Sequence, residues 1–160
     1  MSVAFVKEES AETAAETLLP DRAISPHVNL VTPAGLKALE DQLEQARQAY
    51  SAAGEIEDVN ERRRQAAGPL RDLRYLSQRV HTAEVVDAPT SLEVVCFGST
   101  ATFRREDGRI QKYRIVGEDE ADPKAGTISH VSPVARALMS KAIGDLVNVG
   151  DQELELIAIT

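Results

Sequence analysis

The sequence predicts an α+β protein, an N-terminal antiparallel helical hairpin (a coiled coil) followed by a small mixed β-sheet domain with a short helix. Three observations carry that prediction. Leu36, Leu39, Leu43, Ala46, Tyr50 and Ala53 recur at alternating spacings of three and four, and Ala66, Leu70, Leu73, Val80 and Ala83 fall on a matching seam with Leu76 beside it. Midway between the two seams the chain must reverse, and that point falls on the acidic stretch around Asp58-Val59-Asn60-Glu61. Beyond Asp87-Ala88-Pro89-Thr90 the pattern changes to short β-branched and aromatic runs separated by Gly and Asp. The chain thus divides into a disordered acidic tail over 1–30, the coiled coil over 31–88 and a C-terminal domain over 89–160.

Taken in order, the tail is rich in Ala, Glu and Thr, with room for a short helix over Ala11 to Leu18 and with Pro20 and Pro26 favouring extended chain after it. Thr32-Pro33 opens the first helix, Thr32 as N-cap and Pro33 at the first helical position, where its missing amide costs nothing. Gly54 weakens the end of that arm. Gly68-Pro69 interrupts the second arm more seriously: either one helix begins near Val59 and bends at Pro69, or a separate helix covers Glu55 to Ala67 and the real arm starts at Pro69. In the C-terminal part, Val94 to Phe97 and Ser99 to Arg104 read as strands, Asp107-Gly108 as a hairpin turn and Ile110 to Val116 as the returning strand. A strand at Thr127 to His130, a helix opened by Ser132-Pro133, and strands near Asp145 to Val149 and Leu154 to Ile159 complete the domain.

The 160 residues suit one ordinary core or two small ones. A formal charge of −8 argues against broad electrostatic binding to duplex nucleic acid, so any contact with nucleic acid should be local. The lone cysteine, Cys96, lies in the apolar run Val94-Val95-Cys96-Phe97 and reads as a buried structural thiol. His27, His81 and His130 lack metal-ligand spacing, no apolar run approaches membrane-spanning length, and no signal peptide is evident, which places the expected protein in the cytoplasm.

The plain structural reading of Asp58 and Glu61 is a capping box: Asp58 accepts from the Glu61 amide, and Glu61 reaches back to the Asp58 amide. The sharper reading is that two carboxylates at the end of a rod share a divalent cation inside a partner, since Mg²⁺ takes one or two protein carboxylates and fills its remaining positions with water and phosphate. The two are compatible.

The run Tyr113-Arg114-Ile115-Val116-Gly117-Glu118-Asp119-Glu120-Ala121-Asp122, continued by Ile128-Ser129-His130-Val131-Ser132-Pro133-Val134-Ala135-Arg136-Ala137-Leu138 and by Lys141 with Gly144-Asp145, closely resembles the C-terminal domain of the bacterial GreA/GreB transcription elongation factors. Thr32 to Leu43 and Leu73-Arg74-Tyr75-Leu76 resemble the two arms of the same family's coiled coil, so the resemblance covers nearly everything after Val28. It implies an FK506-binding-protein-like C-terminal domain that docks at the rim of the RNA polymerase secondary channel, with Ser132, Pro133, Ala135, Arg136 and Leu138 on the docking segment. It further implies that the coiled coil enters the channel, where Asp58 and Glu61 fall on the family's acid pair and help hold a Mg²⁺ shared with the polymerase. The resemblance implies a factor that binds no cofactor alone and has no catalytic residue of its own, the polymerase being what cleaves the backtracked transcript. Arg62, Arg63 and Arg64 read equally as phosphate contacts to the nascent RNA 3′ end or as ordinary solvated helix charge. The expected protein is a monomer with no membrane partner.

Against the family pattern, the connection from Thr32 to Asp87 is shorter by about one heptad per arm, or roughly 10 Å of reach. Glu57 and Arg62 also replace the family's usual neighbours of the acid pair. Three functions therefore stand: stimulation of transcript cleavage; occupation of the secondary channel without cleavage; and, from a different class, an FK506-binding-protein-like prolyl isomerase. The third is disfavoured by a chain with three Tyr, three Phe and no Trp to line a proline pocket.

Overall fold

The computed structural model describes residues 19–160, so the short helix considered over Ala11 to Leu18 lies outside the described residues. The elements run β1 (Leu30–Val31), α1 (Pro33–Gly54), α2 (Val59–Thr82), β2 (Glu84–Val85), β3 (Thr100–Arg105), β4 (Ile110–Val116), a 3₁₀ turn (Pro123–Ala125), β5 (Thr127–Ser129), α3 (Pro133–Leu138), β6 (Leu146–Val149) and β7 (Gln152–Ile159). They form two compact units, one of the described residues before Pro26 with Leu39–His81, the other of Pro26–Ala38 with Thr82–Thr160.

In the helical unit α1 and α2 run antiparallel, because residues distant in sequence converge in reverse order: Ala46 shares a groove with Asp72 and Leu76, and Ala53 and Ile56 share one with Gln65 and Glu61. On α1 the seam follows the spacing except at Tyr50, a predicted seam residue that faces solvent. Leu39, Leu43, Ala46 and Ala53 are buried, and Leu36 is half-buried. On α2 the stripe is rotated from the predicted seam. Leu76, predicted to sit beside it, is the deeply buried apolar residue at 4% exposure, whereas Ala66, Leu70, Leu73 and Val80 are half-buried. The reason is that Pro69 itself lies on the packing face, and Leu76 follows it by seven residues, two turns along the same face.

α2 is one helix from Val59 to Thr82 with Pro69 inside it, so a separate helix ending at Ala67 is not formed. Pro69 cannot donate to the Gln65 carbonyl, a local cost of about 3 kcal/mol relative to Ala. The flanking turns continue through it because the face carrying Leu76 is buried against α1. Residues 19–29, grouped with the tail on composition, run without regular secondary structure, and Asp21 and Arg22 find partners on α2.

In the second unit a two-residue parallel pairing of β1 with β2, Leu30 opposite Glu84 and Val31 opposite Val85, ties the chain entering α1 to the chain leaving α2. Thr32 is the N-cap as predicted: its Oγ1 accepts from the Gly35 amide at 2.9 Å and donates to Glu120 Oε2 at 2.6 Å. Gly117 explains one residue of the 113–122 motif, since a Cβ there would stand 2.5 Å from the Leu30 carbonyl oxygen.

The sheet has the order β5-β4-β3-β7-β6, antiparallel except for the parallel pair β4 and β5. Asp107-Gly108 makes the β3–β4 turn as predicted, with Gly108 at φ +84° and Asp107 Oδ1 accepting from the Arg109 amide. Alternation puts Ala101 and Phe103 of β3 and Leu154 and Leu156 of β7 on one face, where Ala135 and Leu138 of α3 join them at 0% exposure. Val94 to Phe97 is not a strand, contrary to its composition. Val95 instead exchanges backbone hydrogen bonds with the chain after α3, donating to the Lys141 carbonyl and accepting from the Ser140 amide. The turn closed by Ser99 on Cys96, with Gly98 at φ +87°, ends the run. Val95 and Phe97 are still buried, so period-two burial survives without a ladder. Cys96 is half-buried, with Sγ 3.4 Å from the Ser99 hydroxyl, rather than fully buried.

Candidate functional site: the hairpin tip and the α3 segment

The tip is the four-residue connection after Gly54 together with the first turn of α2. Glu55 and Ile56 donate back to the Ala52 and Ala53 carbonyls, which tightens the end of α1, and Asp58 then starts α2. Asp58 Oδ1 accepts from the Glu61 amide at 2.7 Å. That is half of the predicted capping box.

The other half is replaced. Glu61 Oε2 accepts from Arg64 Nη2 at 2.7 Å, and Oε1 accepts from Gln65 Nε2 at 2.8 Å, one turn further into the helix. The Gln65 amide first, and then the Arg64 guanidinium, hold the Glu61 carboxyl below its ordinary value of 4.5. Both Glu61 oxygens therefore have intrahelical donors. Gln65 was not singled out by sequence reasoning, although its i,i+4 spacing from Glu61 is a helix-surface pairing signal.

Of the three tip arginines, Arg64 is engaged with Glu61, Arg62 is half-buried and Arg63 is exposed. Asp58 and Glu61 can supply oxygen ligands of the type a hard cation takes, and two carboxylates are the number Mg²⁺ accepts alongside water and phosphate. Among the described residues no group of three or more His, Cys, Asp or Glu is gathered for a metal.

The segment Ser132–Leu138 is the second candidate surface. Ser132 caps α3, its Oγ accepting from the Ala135 amide, and Pro133 occupies the first turn. Ala135 and Leu138, predicted as contact residues, have no exposed surface and serve the core instead. Their alternation with Pro133 and Arg136, both exposed, is what turns those two outward. Arg136 lies beside His27, Nη2 to Nε2 at 3.4 Å. Among the described residues of the sheet domain, Phe97 and Phe103 are in the core, where Phe97 meets His130 edge to face, and half-buried Tyr113 packs on Phe103.

Residues 89–160 match the family model described as transcription elongation factor, GreA/GreB, C-term. The chain is also 41% identical over 130 residues to the transcription elongation factor GreA of Methylobacterium nodulans, covering 78% of this chain and 75% of that protein. The chain belongs to the GreA/GreB family. A second relative, the transcription elongation factor GreA of Beijerinckia indica, is 43% identical over 102 residues, which is 62% of this chain and 59% of that protein. Among solved structures, the GreA/GreB elongation factor of Nitrosomonas europaea is 26% identical with a TM-score of 0.39, covering 82% of this chain and 98% of that one. Family membership agrees with the resemblance carried by the 113–122 and 128–138 motifs. No helix among the described residues is long and apolar enough to cross a membrane.

Proposed function

We propose that this GreA/GreB family member acts on RNA polymerase as an elongation factor, its sheet domain docking at the rim of the secondary channel through the surface around Pro133 and Arg136 while the hairpin enters the channel. The observation that carries this reading is the tip itself, where Asp58 and Glu61 stand at the N-terminus of α2, on the far side of a reversal from a helix of 22 residues. In the channel the two acids would provide oxygen ligands to a Mg²⁺ shared with the polymerase, which supplies the charge neutralisation and water activation for cleavage of a backtracked transcript. Asp58 fits that role through the oxygen not used in capping. Glu61 would have to leave Arg64 or Gln65 first.

A second reading, occupation of the channel without cleavage, is favoured by that commitment of both Glu61 oxygens. Arm length favours it as well: α1 spans about 33 Å at 1.5 Å per residue. The test is cleavage of labelled RNA in a stalled, backtracked elongation complex of the cognate polymerase, comparing wild type with an Asp58→Asn, Glu61→Gln double variant. Cleavage lost in the double variant supports metal completion. No stimulation by wild type, with binding to polymerase intact, makes the protein a channel-occupying regulator.

A further inference from the structure

The second helix contains its own weak point, and a segment from outside the hairpin is fastened next to it. Pro69 gives no amide to the helix ladder, and Gly68 beside it carries no side chain, with no atom of another element within 4 Å of where a Cβ would stand, so this turn has one ladder bond fewer and its Gly68 side adds no packing. In the turn that follows, Asp72, Arg74 and Tyr75 receive the extended chain before Ser25. Arg22 Nη1 lies 3.3 Å from Asp72 Oδ1, and its guanidinium carbon stands 3.8 Å from the centre of the Tyr75 ring. Asp21 Oδ1 accepts from Arg74 Nη1 at 3.2 Å. Arg22 also lines a groove of about 380 Å³ together with Gly68, Pro69, Asp72 and Leu76 of α2 and Ala46 of α1.

The charges set a register. Asp21 and Arg22 face Arg74 and Asp72, opposite signs in both pairs, and a slip that brought Asp21 onto Asp72 would oppose like charges. The stack on Tyr75 is a contact that a guanidinium makes better than an ammonium.

We infer that residues 19–25 are a splint: Asp21 and Arg22 hold the turn after Pro69 ordered, and so set how stiffly α2 carries its N-terminal half with Asp58, Glu61 and Arg62–Arg64. Each ion pair alone is exposed and of small effect. The combination of ion pair and ring stack on one arginine, next to a helix defect, gives the splint its consequence. Because the ion pairs are solvent-accessible, salt weakens them while the ring stack remains. The inference does not depend on the polymerase reading.

The experiment is hydrogen exchange by mass spectrometry on the full chain, following peptides over residues 66–76 with peptides of β3 and β7 as internal standard. Arg22→Ala is expected to speed exchange over 66–76 by about three- to tenfold, the range for one exposed ion pair with a ring stack, and to leave β3 and β7 unchanged. Arg22→Lys should fall between. The reversals Arg22→Asp and Asp72→Arg should each lose protection, and the double reversal should recover part of it. Exchange over 66–76 in Arg22→Ala equal to wild type, or a double reversal no better protected than its singles, overturns the splint.

Discussion

The sheet domain and the helical hairpin are held by different means. In the sheet domain Phe103, Ile115, Leu138, Leu154 and Leu156 all reach 0% exposure, and one connected core takes residues from β3, β4, β6, β7 and α3. The hairpin has no aromatic residue in its seam, and its buried positions shrink toward the tip from Leu39 and Leu43 to Ala46 and Ala53. Its distal half, with Ala49, Ala52, Ala53 and Pro69 around an open groove of about 440 Å³, relies on polar devices within the helix start, the cap at Asp58 and the Glu61 pairings, and the turn after Pro69 is fastened by the long-range contacts of Asp21 and Arg22. The difference teaches that the sheet can tolerate surface change, whereas the tip can be altered by single polar substitutions.

The largest break in this comparison is Phe103→Ala, which empties the centre of the sheet core and should cost about 3–5 kcal/mol in denaturant unfolding of that domain. Leu76→Ala should cost less, about 2–3 kcal/mol, because the groove beside Ala46 is already open and the truncated site loses fewer contacts. Its effect should be read as lost helicity in thermal unfolding. Gly68→Ala should change little: no other element lies within 4 Å of the new Cβ, but a Cβ before Pro69 meets the proline Cδ in helical conformation, which offsets the usual gain of about 1 kcal/mol, so the midpoint of the helical signal should stay near the wild-type value.

The smallest effect is that of acid on the tip. Glu61 has a lowered folded pKa, so its support for the start of α2 is complete above its unfolded value of 4.5 and is lost as the pH falls through the lowered folded value. An NMR titration of the Glu61 carboxyl checks this. Gln65→Ala should move its midpoint upward toward 4.5, since Gln65 is the largest cause of the lowering.

Much of this fold was legible because its signals are local. Thr32 and Ser132 announce their helices through the residues immediately after them, Asp107-Gly108 announces its turn, and both caps and the hairpin stand where predicted. What was not legible depends on partners far along the chain. The β1–β2 pairing joins Leu30 to Glu84 across 54 positions, and two-residue strands leave no period to read. Val94 to Phe97 carries strand composition but finds its backbone partners at Ser140 and Lys141 rather than in a ladder. The rotation of the α2 stripe onto Leu76 depends on Pro69 facing α1, and proline is normally read as a breaker rather than as part of a seam.

At the candidate site the positions of Asp58 and Glu61 were legible from a capping motif. The partners of Glu61 were not, because a carboxylate at the third position of a helix can turn back to the cap or forward to residues three and four further on, and the sequence supplies donors for both. Ala135 and Leu138 carry the same lesson. They lie in the segment that the family resemblance marks, but burial leaves Pro133 and Arg136 as the side chains it presents.

The central proposal is that the tip enters the secondary channel, and site-specific photocrosslinking tests it most directly. With a photoreactive residue at the exposed Asn60 position of the full chain, in a stalled elongation complex of the cognate polymerase, the expected products are crosslinks to the channel lining and to the RNA 3′ end. Crosslinks from a probe at the Arg136 position to the polymerase, with none from position 60 to channel or RNA, would contradict insertion of the hairpin.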